Sequence, residues 1–115
     1  MKERYTLKQN SDFRRLYARG KSAVNAYLVV YCRRSRSGVN RLGYTVSTKL
    51  GHAVVRNRVR RRLREIVRLN AALMRPGYDV VVVARSRAVG CEYGKLESAY
   101  LTACKKLSLM REASV

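Results

Sequence analysis

The sequence predicts an α+β fold built as a single domain over residues 1–115, with helices packed against a small sheet. Three observations carry that expectation. Residues 24–33 and 78–85 are apolar or aromatic at most positions, the pattern of strands covered on both faces. Residues 53–73 and 96–107 instead repeat apolar side chains at helical spacing. The two kinds of segment alternate along 115 residues, enough chain to close one core without a disulfide or a structural metal.

Taken in order, Ser11-Asp12 ahead of Phe13 reads as a helix start and Gly20 as its end. Phe13 and Tyr17 stand four apart and so share one side of that helix. Along residues 24–33, Tyr27, Val29 and Tyr31 fall on one face and Leu28, Val30 and Cys32 on the other. Residues 33–41 form a polar, basic turn. Residues 42–47 read as a second strand, antiparallel to the first because the connection is short. Gly51 opens the helix of residues 53–73, which Arg75-Pro76-Gly77 stops. The β-branched run of residues 78–85 is a third strand. After a break at Gly90 to Gly94, Leu96, Tyr100, Ala103 and Leu107 mark a last helix, and residues 111–115 are expected to fray. The predicted order is α-β-β-α-β-α.

Charge bounds the partner. The chain carries 26 Lys and Arg against 7 Asp and Glu, a formal charge of +19. Such a surface repels itself, and a polyanion offsets that cost. Nucleic acid fits, since neutralised phosphates release counterions. An anionic membrane fits less well, because the basic helix lacks the Trp/Phe/Leu-rich face that surface-bound helices use. The longest apolar run, Val80 to Ala84, is too short to span a bilayer, and the charged first residues offer no apolar signal core. A cytoplasmic protein is expected, with no membrane partner.

The informative segment is the helix of residues 53–73. Val55, Val59, Leu63, Ile66 and Leu73 fall within about 80° of one another and predict a core-facing stripe. Arg56, Asn57, Arg60, Arg61, Arg64 and Arg68 fan across the opposite side, with Arg58 and Arg62 on a flank from which their stems reach the core edge. Seven arginines from Arg56 to Arg68 meet one acid, Glu65. Like charges at i,i+4 cost a few tenths of a kcal/mol each. A phosphate-rich partner reverses that sign, and arginine forks onto phosphate and stacks on bases as lysine does not. The aromatic residues Phe13, Tyr17, Tyr27 and Tyr31 suit either core packing or a partly open groove on which unpaired bases stack.

Other chemistries find little support. Cys32, Cys91 and Cys104 are far apart with no CxxC, and His52 is the one histidine, so neither a zinc site nor a Cys/His relay is expected. Glu65, Asp79, Glu92 and Glu97 are scattered over different elements, whereas a protein-only nuclease needs clustered carboxylates or an acid–base set. The chain is therefore expected to hold no catalytic residue and no protein-bound metal of its own.

Arg56-Asn57-Arg58-Val59-Arg60-Arg61-Arg62-Leu63-Arg64, led in by Gly51 and Ala53-Val54, closely resembles the arginine-asparagine-arginine motif of the bacterial ribonuclease P protein subunit. The likeness covers most of the chain, including the Asp12-Phe13 start and the three strands in family order. The resemblance implies an αβ sandwich with a left-handed βαβ crossover, against the usual hand. It implies two partners, ribonuclease P RNA and precursor tRNA, and a holoenzyme that removes the 5′ leader by phosphodiester hydrolysis. The catalytic centre, with its Mg2+, would lie in the RNA, and no DNA partner is expected. Carried onto this chain, Arg56, Asn57, Arg58, Arg61 and Arg62 would face the catalytic RNA, with Asn57 at a position implicated near magnesium. Phe13, Tyr17, Ser22, Val29 and Tyr31, flanked by Arg60 and Arg64, would hold the single-stranded leader. Arg60 stands where the family often has Lys, and Tyr17 where Phe is common.

Two rival readings are a ribosomal or other structural RNA-binding protein, which shares the charge, and a DNA-binding regulator. The regulator lacks a short helix ahead of the arginine helix to complete a helix-turn-helix.

Overall fold

The computed structural model describes Leu7 and residues 10–111. Its elements are α1 (Asn10–Arg19), β1 (Lys21–Val24), β2 (Leu28–Arg34), β3 (Arg41–Thr45), α2 (Ala53–Leu69), β4 (Tyr78–Ala84) and α3 (Tyr93–Lys106). Short 3-10 turns occupy Thr48–Leu50, Ala71–Leu73 and Ser86–Ala88.

One four-stranded sheet has the order β1-β2-β4-β3. β1 and β2 form an antiparallel hairpin, β2 and β4 are antiparallel, and β3 lies parallel to β4. The β3-α2-β4 path is thus a βαβ crossover between neighbouring strands. The α+β class and the doubly covered β4 are as expected, with Val80, Val81, Val82 and Ala84 all buried.

Four details differ from the sequence expectation. The run beginning at Val24 is not one strand. Asn25 breaks it, its Oδ1 accepting the N–H of Tyr27 and of Leu28, so the chain turns and β1 is an additional strand. The observed order is therefore α-β-β-β-α-β-α. β3 does run antiparallel to β2, yet β4 is inserted between them, its valine run Val80 to Val83 pairing with both neighbours. The arginine helix ends at Leu69, and Leu73 sits in a 3-10 turn, 47% exposed rather than in the core stripe. There Asn70 Nδ2 donates to the Ile66 carbonyl at 2.8 Å and to Glu97 Oε2 at 2.9 Å, while Val67 joins the buried stripe. Finally, Gly94 lies inside α3, which starts at Tyr93. Of the expected frayed tail, residues 112–115 lie outside the described residues.

The sheet separates two apolar layers. On one face Leu28, Val30, Cys32, Val80, Val82 and Ala84 pack with Val59, Leu63 and Ile66 of α2 and with Leu96, Tyr100, Ala103 and Cys104 of α3. Full burial of a Leu or Ile contributes about 1.5–3 kcal/mol, so this face holds the fold. Burial pushes the Cys32 thiol up and the Cys104 thiol to about 11, as suits inert core sulfurs. The second face is thinner: Leu16 of α1 and Leu7 pack on Val81, with Phe13, Tyr31 and Val83 around them.

Gly20 ends α1 for a reason of space. A side chain there would stand 2.6 Å from the Leu16 carbonyl oxygen and 2.8 Å from that of Cys32.

Candidate RNA-binding site

Strand pairing lines up three rows of residues on the face that carries α1. Ser22, Tyr31, Val81 and Gly43 form one row, and Val24, Val29, Val83 and Thr45 the next. Arg33, Asp79 and Arg41 form the row at the opposite end. α1 lies across the middle row with Leu16 inward. Its Phe13 ring rests on Gly43, where an added Cβ would come within 2.9 Å of two ring carbons.

This arrangement brings together Phe13, Tyr17, Ser22, Val29 and Tyr31. The Phe13 and Tyr17 rings lie 6.5 Å apart, and Tyr17 meets Tyr31 edge-on at 4.9 Å. Tyr17 is 41% exposed and its hydroxyl is 3.0 Å from Thr45 Oγ1. Val24, beside Val29, is exposed too. The result is an open apolar and aromatic floor with hydroxyls at its border, matching what stacked single-stranded bases use. Tyr27 is not part of it. Its ring packs on the α2–α3 core, because the turn at Asn25 takes it out of the strand. Gly43 and Thr45 were not singled out by sequence; a glycine inside a strand was the available clue to close approach.

The arginine helix sorts its residues. Arg58 and Arg61 are exposed, and no carboxylate lies within ion-pair distance of any α2 arginine among the described residues. Arg56 Nε donates to the Gly51 carbonyl at 3.1 Å, bracing the start of the helix. Arg60 donates to Asn57 Oδ1 at 2.9 Å, so this pair presents one fixed surface. Arg64 lies over the Tyr44 ring, 5.8 Å from its centroid. Burial raises the Tyr44 hydroxyl to about 12, opposed by the Arg64 charge. Tyr44 belongs to the α2–α3 side of β3, so Arg64 sits at the sheet edge and not on the aromatic floor. Arg62 turns away from the fan: its Nη1 donates to the Cys91 carbonyl at 2.7 Å, tying α2 to the segment ahead of α3.

A family model of the ribonuclease P protein matches residues 1–108. The chain belongs to this family. It is 42% identical to the ribonuclease P protein component of Alkaliphilus oremlandii over 113 residues, covering 98% of this chain and 99% of that one. With the Clostridium botulinum (strain Langeland) component it shares 43% over 104 residues, 90% and 94% of the two chains. Solved structures agree. A Staphylococcus aureus RNase P protein mutant superposes with a TM-score of 0.87 at 32% identity, covering 95% of this chain and 92% of that one. The Thermotoga maritima RNase P protein gives 0.78 at 32% identity, covering 84% and 92%.

The protein is accordingly the protein subunit of ribonuclease P, the endoribonuclease ribonucleoprotein of tRNA processing, and its partners are ribonuclease P RNA and precursor tRNA. Such RNA-based holoenzymes are commonly metal-dependent. Among the described residues, no three His, Cys, Asp or Glu side chains are grouped to hold a metal ion, and the Asn57 side-chain oxygen is engaged by Arg60. No helix among them is long and apolar enough to cross a membrane.

Proposed function

We propose that the chain, as one RNA-binding domain over residues 1–115, divides its two RNA partners between two surfaces. Arg56, Asn57, Arg58 and Arg61 bind the catalytic RNA. Phe13, Tyr17, Ser22, Val29 and Tyr31 hold the single-stranded 5′ leader of precursor tRNA, with Arg60 and Arg64 supplying charge from the neighbouring edge of the sheet. Arg62 acts through the fold, positioning α2. The observation that carries this reading is the edge contact between exposed Tyr17 and half-buried Tyr31, on a floor where the Phe13 ring rests on Gly43.

In this reading the protein supplies no reacting group. Mg2+ held mainly by RNA supplies the hydrolytic chemistry, in the cytoplasm. The domain contributes counter-charge to RNA strands that repel each other, and ring faces that orient the leader. The test is reconstitution with a bacterial ribonuclease P RNA at low magnesium, comparing precursor and mature tRNA. Tyr31→Ala is expected to weaken precursor binding by about 1–3 kcal/mol for a lost stacking partner while leaving mature tRNA unaffected. Equal losses for both would refute the leader assignment.

A further inference from the structure

α1 has a second flank. At 100° per residue Phe13 and Tyr17 lie on one side of the inward Leu16, whereas Arg15 and Arg19 lie on the other. That other flank faces the Arg33–Asp79–Arg41 row and the β2–β3 turn across a cleft of about 540 Å³.

The cleft is built, and it is basic. Asp79 is fully used by Arg41, whose Nε and Nη2 each reach a carboxylate oxygen at 2.8 Å, and Asp12 stands 3.9 Å from the same guanidinium. Arg15, Arg19, Arg33 and Arg36 line the same cleft with no carboxylate in ion-pair distance among the described residues. Arg34 borders the cleft too, its guanidinium 5.7 Å from the centroid of the Tyr78 ring. The turn is held by its own serines: Ser35 and Ser37 hydroxyls are 2.7 Å apart, and Ser37 N–H donates to Ser35 Oγ. Around the end of the sheet the basic lining continues into a second hollow of about 500 Å³ with Lys21 and Lys106.

Unpaired arginines facing one another across a narrow cleft repel at a cost that phosphate removes. A cleft of about 540 Å³ is on the scale of a few nucleotides, which suits a single strand better than the broad face of a duplex. It lies beyond α1 from the aromatic floor: Val29 and Arg33 are four residues apart on β2, about 13 Å. We propose that this cleft is a second leader site, binding the phosphates of single-stranded nucleotides upstream of those stacked on Tyr17 and Tyr31. This rests on the leader reading of the aromatic floor. The arginine helix begins at the opposite end of β3, so the cleft is separate from the surface assigned to the catalytic RNA.

The experiment uses the reconstituted holoenzyme and two precursors, one with a leader that just covers the aromatic floor and one about ten nucleotides longer. Arg15→Gln/Arg19→Gln keeps helix-forming side chains, and Arg36→Gln probes the facing turn independently. The double variant is expected to lose about tenfold in affinity for the long leader only, and its salt dependence for that precursor to flatten by about 1.4 in log–log slope, two phosphates at 0.7 each. Arg36→Gln should act in the same direction. Equal losses with short leaders or mature tRNA overturn the proposal, as does unchanged affinity for both precursors. A loss confined to assembly with the catalytic RNA also overturns it and assigns the cleft to that partner. Tyr31→Ala is run alongside. If it has no effect while Arg15→Gln/Arg19→Gln still removes the long-leader gain, the aromatic reading fails and the cleft stands.

Discussion

Gly43→Ala tests whether the aromatic floor is a built surface. The glycine backbone is not in the left-handed region, so alanine meets no strain there, and a lost glycine stabilises by about 0.4–1 kcal/mol through the unfolded chain. Space decides the sign. The new methyl would stand 2.9 Å from Phe13 Cε1 and Cζ and 3.2 Å from Leu7 Cβ, where ordinary carbon contacts need about 3.5–4.0 Å. Leu7 is fixed from behind by its N–H bond to the Leu42 carbonyl at 2.9 Å, so the Phe13 ring must move. Overpacking of this kind costs about 1–3 kcal/mol. The net loss is then about 1–2 kcal/mol, or roughly 5–10 °C in Tm for a domain this small. Displacing Phe13 presses on Tyr17 and through it on the Tyr31 contact, so precursor affinity falls. Assembly with the RNA subunit should hold, because α2 packs on the other face of the sheet. Thermal melting of the free protein and binding by the holoenzyme read the two effects. Adding Phe13→Leu should recover part of the lost Tm if methyl and ring are coupled. An unchanged Tm would show that the ring does not rest on Gly43, and equal loss for precursor and mature tRNA would sever floor from leader.

Two further expectations concern the arginine helix and the core. Arg58→Ala should weaken RNA assembly and lower its salt slope by about 0.9 with Tm unchanged, whereas Arg62→Ala should lower Tm by freeing the Cys91 carbonyl and leave the slope as it was; titrations at several salt concentrations separate them. Tyr44, held at about 12 in the fold, loses its proton in the unfolded chain near 10, so the folded state binds more protons between those values. Its stabilising contribution is full below about pH 10 and is lost as pH rises towards 12, by an amount of order 3 kcal/mol; Tyr44→Phe should flatten that alkaline limb in denaturant titrations.

Much of this was legible in the chain because the causes are local. The β-branched run of β4, the stripe Val59, Leu63 and Ile66, and the Phe13–Tyr17 pairing each follow from spacing. The β1–β2 hairpin was missed because Asn25 makes its turn inside an apolar run, where alternation continues on either side. The place of β4 between β2 and β3 depends on pairing over long separations, to which hydrophobic pattern is blind. The family resemblance places Arg62 with the RNA-facing residues; helical phase puts it on the flank but cannot tell a snorkelling stem from a guanidinium that reaches a carbonyl 29 residues on. Residues 33–41 read in sequence as a polar, basic turn, and that α1 sets Arg15 and Arg19 opposite to it depends on packing that spacing does not encode.

The strand order has a consequence for the making of the protein. β4 is hydrogen-bonded on both sides yet is the last strand to be synthesised, so β2 and β3 have no common partner until Ala84 has been added. From Thr45 to Ala84 is 39 residues, about 2–8 s of translation at about 5–20 residues per second. For that interval the nascent chain carries open strand edges of the sort that recruit other chains. The arginine helix is made within the same interval, so the stretch most exposed to mispairing travels with the densest positive charge in the molecule, and like charge keeps neighbouring nascent chains apart.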